Sequence, residues 1–226
     1  MIDSMYWYFA IPGLLLTIVS QLYVKYMFYR YSSEDSGKNI TGEEAANIIC
    51  DGENFPVDIT IDQNPLGDHF DPVNDVVRVS QRNRESRSVA DIAIVAHEFG
   101  HVQQKFSSTF VYRIRQFMVP VTNISTQIGY ILFFLGLALS IFRLSEIGLV
   151  LFSTSVIFCL VTLPVELDAS RRGMEFIKKY NLITKEKRDG AKSVLTAAAF
   201  TYLAGLLSSI LNLLYYVNMF NQRKKK

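Results

Sequence analysis

Two histidines and a glutamate occupy the segment His97-Glu98-Phe99-Gly100-His101, which has the spacing H-E-x-x-H. On an α-helix, residues four apart lie one turn above each other, so both imidazole rings can reach one zinc ion at about 2.0–2.1 Å. Glu98 is rotated about 100° from His97 and therefore lies beside the metal. There its carboxylate can take a proton from zinc-bound water, whose pKa the metal lowers to about 7. The pattern predicts a zinc-dependent hydrolase of the metallopeptidase type.

The motif needs supporting context, because H-E-x-x-H arises by chance in roughly one per cent of chains of this size. Two of the chain's three histidines fall within it, and the surrounding residues independently predict a helix. The simpler alternative is a pair of core histidines beside a glutamate in a salt bridge. We favour the metal site and predict one Zn²⁺ per chain.

A catalytic zinc usually keeps three protein ligands and one open position, and no further histidine follows the motif closely enough to be the third. The segment after Pro164, a residue that suits the first turn of a new helix, contains two carboxylates, Glu166 and Asp168. They point about 200° apart on a helix, so only one can face the zinc. A carboxylate close to a membrane is costly unless it is paired, metal-bound or functional. We predict Glu166 as the ligand and keep Asp168 as an alternative ligand or an outer partner of the site.

The elements that position these residues follow from capping signals. The helix that carries the motif is predicted from about Val89 to Lys105, with Ser88 as its N-cap. Upstream, Thr41 and Glu44 have the spacing of a capping box and predict a short helix that stops near Gly52.

Two short strands are predicted between these helices. Phe55–Ile61 alternates apolar and polar residues, and Val76–Ser80 is rich in valine. Because the turn-forming segment Asn64–Gly67 lies between them, we expect a small β-hairpin or ribbon. The Val76–Ser80 strand is also expected to offer an edge to an extended peptide.

Four apolar runs are long enough to cross the hydrocarbon core of a bilayer, which takes about 17–25 residues. They cover roughly Met5–Val24, Phe117–Phe142, Ile147–Leu163 and Val194–Phe220. Only Arg143-Leu144-Ser145-Glu146 separates the second run from the third, which predicts a helical hairpin with a tight polar turn. The first run has aromatic residues at both ends and lacks the features of a signal peptide, so we expect a retained anchor.

The composition favours a membrane protein and excludes some partners. Half of the residues are hydrophobic and 19% are charged, below the roughly 25% of soluble domains. A net charge of +2 is too small to attract nucleic acid, and no basic run is interleaved with aromatic residues, so no nucleic-acid partner is expected. The two cysteines lie in dissimilar surroundings, so no disulfide is expected.

The distribution of basic residues predicts the topology. Most of the 23 lysines and arginines lie in the polar regions 25–116 and 164–193, which the positive-inside rule places in the cytoplasm. The basic end Arg223-Lys224-Lys225-Lys226 conflicts with this, because four crossings would place it on the opposite side. Either the polar regions decide the orientation or the last run does not cross fully.

Three segments together resemble the YugP-like family of membrane zinc metallopeptidases. These segments are His97–Gln103, Glu166–Arg172 and Asp68–Pro72. The resemblance covers most of the chain and implies hydrolytic activity without naming a substrate. More distantly, the chain is similar to the HtpX-like membrane gluzincins, whose third ligand is the glutamate of an E-x-x-A-D stretch. Glu166 and Ala169 match that glutamate and alanine, whereas Ser170 stands where the aspartate would be, which leaves the outer partner of the zinc histidines open.

The remaining histidine, His69, lies in a turn with Asp68 and Asp71. By analogy with zincins, it could stabilise the oxyanion of the transition state or contact the substrate. A role in capping the loop is the alternative.

Together, the patterns predict a mainly α membrane protein with about four transmembrane helices and a small α+β zincin-like domain that carries the H-E-x-x-H helix. The expected regions are an anchor (1–30), a metallopeptidase region (31–116), a transmembrane hairpin (117–163), a polar helix with the third ligand (164–193) and a C-terminal transmembrane helix with a basic tail (194–226).

The predicted function is zinc-dependent endopeptidase activity in the cell membrane, with a cytoplasmic polar domain. The expected partners are a membrane-associated protein or peptide substrate and the lipid bilayer; the oligomeric state is not predicted. One alternative is a non-catalytic membrane scaffold with a structural metal. A metal transporter is disfavoured, because the apolar runs carry no internal charges to line a pathway.

Overall fold

The described residues of the protein are mainly helical and form one small sheet. The structure, a computed structural model, describes residues 4–64 and 67–224. Its helices are α1 (Ser4–Ser32), α2 (Gly42–Glu53), α3 (Gln81–Glu85), α4 (Val89–Phe106), α5 (Phe110–Ala138), α6 (Phe142–Lys179) and α7 (Arg188–Lys224), with a 3-10 turn at Lys185–Lys187. Its strands are β1 (Asp58–Asp62), β2 (His69–Asp71) and β3 (Val76–Ser80).

The two predicted helix starts before the motif are confirmed. The Thr41 side chain accepts a hydrogen bond from the backbone of Glu44, whose carboxylate accepts one from the Thr41 backbone, so the capping box is complete. At the start of α4, the Ser88 hydroxyl accepts a hydrogen bond from the backbone N–H of Asp91. These caps satisfy backbone donors that have no partner within the helix.

The predicted hairpin is wrong. The sheet has the order β1-β3-β2, in which β1 pairs parallel to β3 and β2 pairs antiparallel to β3. A parallel pair of strands cannot be closed by a tight turn. The residues between β1 and β3 contain β2, whose three residues are too few to predict a strand from the sequence. The central position of β3 also contradicts the prediction that this strand offers a free edge to a peptide. Within the predicted turn Asn64–Gly67, Pro65 and Leu66 lie outside the described residues.

Four helices, α1, α5, α6 and α7, are long and apolar enough to cross a membrane. Two predicted boundaries between them are wrong. The turn between α5 and α6 lies before Phe142, because Leu139 and Ile141 continue the apolar pattern through the break; the predicted turn residues belong to the first turn of α6. No new helix begins at Pro164, since α6 runs through it, and prolines are tolerated inside membrane helices.

The described residues form two compact units. The first comprises residues 4–21, 113–164 and 200–224 and holds the apolar parts of the four long helices. In this unit, the Lys224 ammonium lies 3.1 Å from the Glu146 carboxylate, so the end of α7 lies at the same end as the α5–α6 turn. This is the arrangement expected if α7 crosses fully; Lys225 and Lys226 of the predicted basic tail, like residues 1–3 of the predicted anchor, lie outside the described part.

The second unit comprises residues 22–112 and 165–199. Its core packs α2, the sheet and α4 against the last part of α6 and the first part of α7. Buried side chains from each of these helices contribute to this core, among them Ile49, Phe99, Ile177 and Leu195. Burial of these apolar side chains holds α4 in place and thereby positions the motif.

Candidate metal centre

Helix α4 is buried along most of its length and opens on one stripe. The partly buried residues of this stripe are Ile94, His97, Glu98, His101 and Lys105, at steps of one, three and four; Gln103 is partly buried on another face of the helix. Because such steps keep side chains on one face of a helix, the two histidines and the glutamate point out of the core together. The amphipathic pattern therefore places the motif on the less buried side of α4.

Two glycines allow α4 and α6 to approach closely. A Cβ atom on Gly100 would lie 2.9 Å from the carbonyl carbon of Ala169 and closer still to its oxygen. A Cβ atom on Gly173 would lie 3.0 Å from backbone atoms of Ala96 and His97. These backbones are in contact because neither glycine has a side chain, which places the residues before and after Ala169 directly beside the histidines of α4.

Glu166 of α6 meets both histidines. Its Oε2 lies 3.3 Å from His97 Nε2 and 3.5 Å from His101 Nε2, and the nitrogen and oxygen atoms of the three side chains all lie within 4.8 Å of one another. Glu166 is 2% exposed, a position where an ionised carboxylate is costly without a cation or donor. The three side chains could therefore hold a metal ion.

Gln104 fixes the protonation pattern of His101. Its amide nitrogen donates to two acceptors, the Val165 carbonyl at 2.8 Å and the Asp168 carboxylate at 2.9 Å. The other amide atom, 3.0 Å from His101 Nδ1, is therefore the oxygen, and His101 must donate to it. In the neutral ring, Nε2 then carries the lone pair that a metal ligand needs.

Ser170 plays the corresponding part for His97. Its hydroxyl lies 3.1 Å from His97 Nδ1, so the residue that replaces the expected aspartate still contacts the ring on the side away from Glu166. A hydroxyl can accept the Nδ1 proton as a carboxylate does, without adding a negative charge. Both rings are thus held at Nδ1 and present Nε2 to the third ligand.

Asp168 is not part of the three-residue cluster. Its carboxylate accepts hydrogen bonds from Gln104, Arg171 and Arg172. Arg172 also donates to Gln103 at 2.8 Å, so a polar network lies behind the histidines and joins α4 to α6. Asp168 is linked to His101 through Gln104, which contacts both side chains.

Glu98 is oriented by the sheet. Its Oε2 accepts a hydrogen bond of 2.9 Å from the backbone N–H of Phe70 in β2. Asp68 accepts from the Ser80 backbone at 2.9 Å, and Asp71 caps the following turn by accepting from Val73. The two aspartates of the upstream motif thus fix both ends of β2, which holds its amide against Glu98. Burial raises the pKa of Asp68, although hydrogen bonds from Ser80 oppose it.

His69 is not brought into the metal cluster. Its ring is exposed and its Nδ1 lies 2.7 Å from the carbonyl oxygen of Gly67 in its own loop. This contact is the loop bond that was the alternative to a substrate role. In sequence, His69 directly precedes Phe70, whose backbone N–H contacts the candidate general base Glu98.

The donor set fits zinc. Two imidazole nitrogens and one carboxylate oxygen are the ligands of the His₂Glu class of catalytic zinc sites, which keep a fourth position open. Burial lowers the pKa of His101, but its hydrogen bond with Glu166 and the nearby charges of Glu98 and Glu166 raise it, and the net shift is upward. Protons therefore compete with a metal at His101 more strongly than at an ordinary histidine.

Three contributors to this site had no role assigned from the sequence, although Ser170 had been matched to the position of the expected aspartate. Gln104 follows His101 by three residues on one helix, a spacing at which side chains meet, so it could have been found. The contact of Ser170 with His97 joins two helices, and the Phe70 backbone joins strand to helix. Neither contact leaves a signal in the local sequence.

Two comparisons with known proteins found similar sequences. The sequence profile of the family described as "Putative neutral zinc metallopeptidase" matches residues 6–221. The chain is 35% identical over 214 residues to the "Putative membrane protease YugP" of Bacillus subtilis (strain 168), covering 94% of this chain and 95% of that protein. No solved structure matches the chain.

Proposed function

Since the chain belongs to the family described as "Putative neutral zinc metallopeptidase", we propose that it is a membrane-embedded, zinc-dependent endopeptidase. One observation carries the proposal: two imidazoles, each held at Nδ1, direct Nε2 at a buried carboxylate. This set of three ligands supports an open catalytic site rather than one of the closed, cysteine-rich sites that serve structure.

Each residue of the site has its own role in the proposed reaction. His97, His101 and Glu166 would hold one zinc ion per chain, and the bound ion would supply Lewis-acid chemistry by acidifying water and polarising a carbonyl group. The Glu98 carboxylate accepts the proton of the attacking water at one oxygen, while the Phe70 amide keeps its other oxygen in place. Protonated Glu98 then donates to the leaving amine.

His69 is proposed as a substrate contact, since β2 adjoins Glu98 and the exposed ring can turn from its loop bond towards a bound peptide. A histidine there could stabilise negative charge on the scissile carbonyl oxygen.

The substrates proposed are membrane proteins or segments close to the bilayer. Glu166 follows Leu163, the last residue of an apolar run, by three residues, which is about 4.5 Å along a helix. A relative named "Putative membrane protease YugP" supports a location of the activity at the membrane. The excess of basic residues in the polar regions supports a cytoplasmic orientation of the site.

The test compares Glu98→Gln with the wild type in detergent or nanodiscs. We expect both to bind one zinc per chain, while hydrolysis of a single-span membrane reporter falls by about 100-fold or more, since a general base contributes about 10²–10⁴. Glu186→Gln is the matched control, because Glu186 is exposed in the 3-10 turn. Hydrolysis by Glu98→Gln at the wild-type rate would refute the mechanism, and zinc binding without hydrolysis by the wild type would support the scaffold.

A further inference from the structure

A pocket of about 370 Å³ lies between α6 and α7 within the second unit. Ser170, the partner of His97, forms part of its wall. The pocket therefore lies behind the metal centre, and nothing in the proposed peptidase mechanism uses it.

The pocket carries an excess of positive charge. Its basic residues are Arg171, Lys178 and Lys192, and its one acidic residue is Glu175. Glu175 is already paired with Arg171 at 2.5 Å. Within residues 4–64 and 67–224, neither lysine forms an ion pair, and both are exposed. Two ammonium groups from different helices are thus available to one anionic group.

The rest of the wall is mostly apolar. Leu167 and Met174 of α6 face Leu195 and Ala199 of α7 across the pocket. An inorganic anion or a small phosphorylated metabolite would gain nothing from this surface. A ligand that fits both parts has an anionic head and hydrocarbon next to it.

The position along the chain selects the bilayer as the source of that ligand. Lys192 precedes the apolar run that begins at Val194, and Lys178 lines the same pocket. On α6, Leu167 follows the apolar run that ends at Leu163, whereas Lys178 lies 15 residues beyond that run, about 22 Å along the helix. The pocket therefore extends from the end of the apolar run of α6 to the two lysines. Lysines that flank membrane helices attract anionic lipids, and long lysine side chains can extend towards the headgroups. Basic pockets between such helices bind lipid headgroups.

We propose that this pocket binds an anionic phospholipid, with its phosphate between Lys178 and Lys192 and its glycerol and upper acyl carbons against Met174 and Leu195. An acidic peptide would satisfy the lysines but would bury polar backbone against the apolar wall. The lipid thereby occupies the face of α6 next to the one that α4 contacts, beside Ser170.

The experiment uses the full chain in phosphatidylcholine nanodiscs that contain a small fraction of photoactivatable phosphatidylglycerol. It is done with and without a chelator, so that its result does not depend on zinc or on peptidase activity. We expect cross-links to concentrate on residues 167–178 and 192–199, and to be competed by unlabelled phosphatidylglycerol but not by phosphatidylcholine or millimolar inorganic phosphate.

The double variant Lys178→Gln with Lys192→Gln should bind the probe about 30-fold more weakly, the change that corresponds to about 1 kcal/mol for each of two lysines. Lys38→Gln with Lys185→Gln removes the same charge from the polar loops and should leave labelling unchanged. Any one of four results would overturn the proposal. Two concern the protein: an equal loss of labelling in both double variants, or cross-links spread evenly over the four apolar helices. Two concern the probe: equal labelling by a phosphatidylcholine probe, or displacement of the probe by inorganic phosphate.

Discussion

The close approach of α4 and α6 at Gly100 yields the sharpest test of how the metal centre is built. In Gly100→Ala, the added methyl carbon would lie 2.9 Å from the carbonyl carbon of Ala169, at least 0.5 Å short of the 3.4 Å at which ordinary contact begins. The clash is with backbone, which cannot rotate away, so the helices must separate by at least that distance.

A separation of this size exceeds what a zinc site tolerates. Ligand distances in such sites stay within about 0.2 Å of their preferred values, and α6 carries both Glu166 and Ser170. Moving α6 therefore displaces the third ligand and the partner of His97 together. We expect zinc affinity to fall by at least about tenfold, the lower end of what loss of an outer partner costs, and stability to fall by about 1–3 kcal/mol from overpacking.

The assay is competition for zinc with a chelator, together with thermal unfolding of the full chain in detergent. Gly205→Ala is the matched control, since nothing lies within 4 Å of a Cβ atom there, and it should keep wild-type zinc affinity. Gly173→Ala, with its nearest backbone atoms at 3.0 Å, should fall between the two. Wild-type zinc affinity in Gly100→Ala would refute the argument that this contact sets the position of Glu166.

Three further outcomes are expected. Gln104→Leu should lower zinc affinity by about 10–100-fold because His101 loses its Nδ1 acceptor, whereas Gln103→Leu should not; equal effects would place the cause in packing. Burial lowers the pKa of His101, but the neighbouring carboxylates raise it more, to above the ordinary histidine value of 6.5. When the pH is lowered, zinc affinity should therefore begin to fall while the pH is still above 6.5. A fall confined to pH values below 6.5 would contradict this shift. His69→Ala should lower kcat and leave zinc content unchanged, and an unchanged kcat would assign His69 to its loop.

Local patterns could be read from the sequence because their physics is local. The spacing of His97 and His101 fixes their common face on any helix, and the capping residues Thr41 and Ser88 mark helix starts through bonds that span three residues. The long apolar runs likewise need only their own length and composition to indicate a membrane.

Features that depend on contacts between distant segments of the chain could not be predicted from the sequence. The parallel pairing of β1 with β3 could not be seen, since alternation predicts a strand but not its neighbour. The break after Ala138 was hidden because apolar residues continue through it, and the continuity of α6 through Pro164 depends on neighbours rather than on the proline itself.

The sequence by itself determined that two histidines and a glutamate share one helical face and that a carboxylate follows a membrane span. Only the tertiary structure decided that Glu166 rather than Asp168 lies close to both imidazole rings. It also decided that Gln104 and Ser170 contact these rings at Nδ1, and that the backbone amide of a strand orients Glu98. The physical reason is the sequence distance over which each interaction acts. Helical geometry fixes the relative positions of side chains within one turn, whereas the contacts among α4, α6 and β2 depend on packing between segments that are far apart in the chain.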